Sequence, residues 1–114
     1  METISTAIIA ALFASAADGT GETGKQAVIE AYKGLQALLR KTFGDDSQVL
    51  KAVAELEKDP DSPAHQLVLR ERMNAVRANR YPELAAAAQA LLDQIEAQPG
   101  GAQTIRAAFG IYIA

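Results

Sequence analysis

The sequence contains no cysteine, which excludes a disulfide scaffold, thiol chemistry and any thiolate metal site. It has no tryptophan, and only 5% of its residues are aromatic, too few for a base-stacking platform or an interfacial tryptophan belt. His65 is the single histidine, so no second imidazole completes a metal site, and no nucleophile stands at a defined spacing from it. Following Ser62-Pro63, it reads as a solvated side chain in the first turn of a helix. The formal net charge of -3 gives no overall attraction to nucleic acid, and no nucleic-acid partner is expected. At 114 residues the chain fits one domain, large enough to bury a core without metals or disulfides.

Charge is also missing locally. Ile4 to Ala17 carries no ionisable side chain, and Ile4, Ile8, Ile9, Leu12 and Phe13 point to every side of a helix built from them. A surface helix has one apolar stripe and one polar face, so this segment must be a central core helix or one held for delivery to a membrane. Ala14-Ser15-Ala16 mimics a secretory cleavage site, but the residues before it include Glu2 and no Lys or Arg, against the basic start of an export signal. A spanning helix needs about 20 apolar residues, and Asp18-Gly19 ends this run too early for a permanent anchor.

The rest of the chain reads mostly as helix. Val28, Tyr32, Leu35 and Leu39 recur at i, i+4, i+7 and i+11, the spacing of an amphipathic helix. It is expected to start between Thr20 and Gln26 and to stop at Gly44, with Arg40 and Lys41 against the negative end of its dipole. Asp45, Asp46 or Ser47 can cap the next helix, whose stripe is Val49, Val53 and Leu56. Ser62 and Pro63 suit the N-cap and first residue of a further helix carrying Leu69, Met73 and Val76. Pro82 disfavours helical geometry in the residue before it, then opens a helix with Leu84, Ala88, Leu91 and Ile95 inward. Pro99-Gly100-Gly101 breaks the pattern. The expectation is an all-α bundle of four to five helices over residues 1–98, with residues 99–114 as a C-terminal tail.

That tail supports two assignments. Phe109, Ile111 and Ile113 alternate with Gly110, Tyr112 and Ala114, which is strand periodicity and makes Phe109, Ile111, Tyr112 and Ile113 candidates for self-assembly. Ile105, Ala108, Phe109 and Tyr112 equally match a docking helix, since periodicity does not separate the two in so short a run.

Gly19-Thr20-Gly21-Glu22-Thr23-Gly24-Lys25 satisfies GxGxxG and part of a phosphate-binding loop. Gln26 stands where a magnesium-binding Ser or Thr is needed, and a helix precedes the motif where a strand is required. Gly19, Gly21 and Gly24 are therefore read as a hinge. Glu55, Glu57, Asp59 and Asp61 lack the spacing of a calcium loop and read as a solvated helix end. Arg70, Arg72, Arg77 and Arg80 are expected on an exposed basic face, a candidate contact for lipid head groups or an acidic partner.

An uncharged first helix, a glycine-rich break, the helix AVIEAYKGLQALLRKTFGD, an acidic segment ending ELEKDPDSPA and the helix PELAAAAQALLDQIEA together resemble the bacterial Bell domains. That family is likened to the fungal HeLo and HeLo-like domains. The resemblance covers residues 1–98 and implies a membrane-targeting cell-death effector, cytoplasmic at rest and at the inner (plasma) membrane on activation. Its first helix would be the membrane-active part, its partners membrane lipids and other copies of the chain. It also implies a short amyloid signalling motif after the domain, templated by an NLR-like sensor, and Gln103 to Ala114 is where such a motif would begin. Physically, clustering would raise the local concentration of released helices, each too short to span alone. The alternative is a helical adaptor whose first helix is permanently central. No catalytic, cofactor-binding or metal-ligating residue is identified, and an enzyme is not expected.

Overall fold

The computed structural model describes residues 3–16 and 23–113. Its elements in chain order are α1 (Thr3–Ala16), α2 (Thr23–Phe43), α3 (Gln48–Lys58), α4 (Pro63–Ala75), a 3₁₀ turn (Ala78–Arg80), α5 (Pro82–Glu96) and α6 (Gly101–Ile113). The all-α expectation holds, with six helices among the described residues where four or five were expected.

Each boundary has a local cause. Gly44 closes α2 at φ 94°, a left-handed conformation that a residue without Cβ adopts freely, and its N-H reaches the Arg40 carbonyl at 2.8 Å. Of the three candidate caps, Ser47 is the one used, its hydroxyl accepting from the Leu50 N-H at 3.3 Å. Ser62 does the same for the His65 N-H at 3.3 Å, with Pro63 next in line as expected. Tyr81 is extended ahead of Pro82, as the proline ring requires. The chain reaches it through Arg77, which is held at φ 54°, a conformation unfavourable for a side chain with a Cβ.

The core is arranged around α1. It packs on α2, α4, α5 and α6, while α5 also lies against α2 and α6. The α3–α4 pair forms an outer hairpin that reaches α2 through α3 and α1 through α4. Leu35, Leu39, Leu56, Leu69, Met73, Leu84, Leu91 and Ile95 are buried with α1, so the stripes expected on α2 to α5 face one common interior.

Residues 99–114, set apart above as a tail, contribute α6 to that same interior through residue 113. Helix α6 packs against α1 and α5, and Ala108 is buried. The backbone of Phe109, Ile111, Tyr112 and Ile113 is helical, which corrects the strand alternative for these positions. Docking of the inward stripe on two helices satisfies the helical period, whereas a strand here would need an edge to pair with, and none occurs among the described residues.

A polar cluster ties α3 to α2. The Tyr32 hydroxyl and the Gln36 amide both donate to Glu57 Oε2, each at 2.7 Å. Burial, and then the neighbouring carboxylate, push the Tyr32 hydroxyl far above its usual alkaline range.

Two glycines make opposite stability predictions. Gly34 stands in the middle of α2 with open space where a Cβ would go, so Gly34→Ala is expected to raise unfolding stability by about 0.5–1 kcal/mol. At Gly101 a Cβ would fall on the Ile95 carbonyl, a backbone group that cannot swing aside, and Gly101→Ala is expected to lower stability by more than that gain. Urea unfolding of both variants beside the parent chain checks this. A third variant tests Tyr32. Its raised folded-state value means its contribution is fully present below pH 10, the ordinary tyrosine value, and is lost progressively above it. The stability advantage of the parent over Tyr32→Phe should therefore shrink as urea midpoints are followed from pH 8 to pH 11.

Candidate functional site

An α-helix has 3.6 residues per turn, so a buried run longer than two turns leaves no face in water. Ile4 to Leu12 is such a run: every residue in it is buried, with Ile4, Ile8 and Ile9 at 0% exposure and Leu12 at 8%. Phe13 is partly buried against the same core. All five side chains expected to form a membrane-active helix are thus packed inside the bundle. No helix among the described residues is long and apolar enough to cross a membrane.

Two hydroxyls share this apolar environment. Ser5 and Thr6 are both at 0% exposure. Among the described residues the Ser5 hydroxyl has no hydrogen-bond partner, while Thr6 Oγ1 accepts from Arg70 Nη1 at 3.0 Å. Through Nη2, the same guanidinium donates to the Ala108 carbonyl of α6 at 2.8 Å. A side chain on α4 thereby joins α1 to α6 in the interior.

This placement corrects the expected basic face. Arg70 is only 2% exposed, so it is not on a surface with Arg72, Arg77 and Arg80, which are exposed. The reason is geometric. Helix α4 ends at Ala75, so the seven-residue spacing from Arg70 does not carry the helical period through to Arg77, which begins a left-handed step out of the helix. Arg70 belongs instead with Gln66, Leu69 and Met73, all buried, at i, i+3, i+4 and i+7 on the inward stripe. That spacing was the available signal. Reading arginine as a surface residue, which it usually is, hid it.

Half of that inward stripe is polar. The Gln66 side-chain amide donates to the Pro60 carbonyl at 2.6 Å, and its Oε1 is buried with no partner among the described residues. On the outer side of the hairpin, a groove of about 150 Å³ is lined by Gln48, Lys51, Ala52 and Glu55 of α3 and by His65, Val68 and Arg72 of α4. His65, expected to be solvated, is partly buried at the edge of this groove.

Of the hinge glycines, Gly19 and Gly21 lie outside the described residues, as does most of the phosphate-loop motif. Gly24 falls within the first turn of α2.

No curated protein and no solved structure matches the chain. The model of the HetE-N family, described as the Het-E N-terminal domain, matches residues 1–111, which takes in all six helices except the last two residues of α6. A family match of that extent places this chain in the HetE-N family, related to the HeLo-like fungal cell-death domains.

Proposed function

We propose that this chain is a non-enzymatic cell-death effector domain whose α1 is stored in the bundle and delivered to a membrane when several copies cluster. The carrying observation is the run Ile4 to Leu12, buried on every side and free of charge. Such a helix exchanges one apolar surrounding for another without moving an ionised group into hydrocarbon, the step that makes most helices poor insertion elements. Membership of the HetE-N family supports the cell-death part of the reading.

The finer assignments belong to the same proposal. The domain acts as a Bell-type effector in bacterial immunity, resting in the cytoplasm and acting at the inner membrane. Its partners are membrane lipids, further copies of itself and an NLR-like sensor that brings the copies together. Arg72, Arg77 and Arg80, all exposed, are the proposed contacts for anionic head groups. At 14 residues, α1 is about 21 Å long, short of the roughly 30 Å hydrocarbon core. Permeabilisation therefore requires several helices acting together.

Burial of α1 equally favours an adaptor in which that helix never leaves. Deleting α1 does not separate the two readings, because it removes the centre of the fold. A single-cysteine variant does. Ala7 is fully buried and the chain has no competing thiol, so the Ala7→Cys thiol is expected to resist maleimide in the resting protein. Fused to a trimeric coiled coil and mixed with dye-loaded vesicles of zwitterionic and anionic phospholipid, it should become reactive as the dye is released. A thiol that stays protected while the vesicles stay sealed would establish the adaptor.

A further inference from the structure

We propose that Arg70 is the latch that keeps α1 and α6 closed on the bundle. The inference deepens the membrane reading and rests on it for what release accomplishes, but whether release is governed by Arg70 can be measured without a membrane.

Apolar contacts around α1 are non-directional: they reward burial of Ile4, Ile8, Ile9 and Leu12, and only the fit of large against small side chains selects a rotation of the helix. The bond from Arg70 to Thr6 is directional and fixes one face of α1 toward α4. The bond from the other arm of the same guanidinium, to the Ala108 carbonyl, ties α6 to α4 while α6 packs on α1. A planar fork can serve two acceptors at once, whereas a lysine ammonium is a compact charge on a flexible stem. Both acceptors lie on elements that flank the bundle in sequence, separated from Arg70 by 64 and 38 residues, so a single side chain closes the structure at two places.

The neighbouring Ser5 works in the opposite sense. Its hydroxyl is buried with no hydrogen bond among the described residues, a state that favours any conformation in which the group finds water or another partner. Helix α1 is thus held by a charged fork at Thr6 and loosened by an orphaned hydroxyl one residue away. Such a balance suits an element that must be stable at rest and still leave.

Hydrogen exchange of the full chain in buffer tests the latch. Arg70→Met should speed exchange of α1 and α6 amides by roughly tenfold to a hundredfold, the range for losing charged hydrogen bonds, while α2 and α3 keep most of their protection. Val53→Ala, a core change in α3, is the control and should not single out α1 and α6. Thr6→Val, nearly isosteric, should loosen α1 and leave α6 closed. Ser5→Ala should slow α1 exchange by about tenfold. If Arg70→Met does not fold, Thr6→Val and Arg70→Lys carry the test, the latter expected to loosen both helices to a smaller degree. Unchanged exchange in α1, or an increase spread evenly over all helices, overturns the latch. Dye-loaded anionic vesicles then separate this idea from the one beneath it. Selective opening without leakage keeps the latch and removes the membrane function, and leakage on clustering without selective opening in the variants does the reverse.

Discussion

Nine consecutive residues of α1, Ile4 to Leu12, have no exposed face, and this places a demand on every other element. A helix with one apolar stripe needs one neighbour, whereas a helix apolar all round needs walls on every side. Helices α2, α4, α5 and α6 supply them. The small residues follow from the same demand: Ala7, Ala10 and Ala11 on α1, Ala88 on α5 and Ala108 on α6 are all buried, and each lets a neighbouring backbone approach closely. Helix α3 stands one layer out, bound to α2 by packing and by the Tyr32 and Gln36 hydrogen bonds to Glu57.

Magnitudes show why α1 needs a destination if it is to move. Full burial of an aliphatic side chain is worth about 1.5–3 kcal/mol, so Ile4, Ile8, Ile9 and Leu12 together contribute about 6–12 kcal/mol. That is comparable with the whole net stability of a domain, about 5–15 kcal/mol. Exposure of α1 to water would cost nearly everything that holds the bundle together. A hydrocarbon phase returns most of that loss, and a cluster of copies supplies the neighbours that a short helix lacks. Both conditions belong to the proposed function, and the size of the burial is what makes them necessary.

Most of the scaffold was legible because its signals are local. Gly44, Ser62-Pro63 and Pro82 act through steric limits and capping bonds that involve only a few adjacent residues, and the structure uses each as expected. Ser47 emerged from three neighbouring candidates. The apolar stripes of α2 and α5 were equally plain, since Leu35, Leu39, Leu84, Leu91 and Ile95 repeat at helical spacing. Legibility failed where a distant partner decides. The segment from Ile105 onward satisfies two periodicities, and contact with α1 and α5 selects the helix. Arginine's usual preference for water conceals Arg70, and only Thr6 and Ala108, far away in the chain, reveal why it is inside. The orphaned Ser5 hydroxyl was hidden for the same reason.

The polar atoms of the interior also resolve a difficulty that the apolar ones create. Hydrophobic burial alone is non-directional, and for a helix as uniformly apolar as α1 the fit of its large and small side chains carries most of the choice of seat. A directional contact sharpens that choice. Buried polar groups can serve as registry keys, accepting a desolvation cost in exchange for a single arrangement. The Arg70 guanidinium meets Thr6 in only one azimuth of α1, and meets the Ala108 carbonyl only when α6 is docked. The price of such specificity is visible in the unpartnered Gln66 Oε1 on the same stripe of α4 and in Ser5 on α1. Apolar burial therefore draws α1 into the bundle, and a small set of imperfectly satisfied polar groups determines how it sits there.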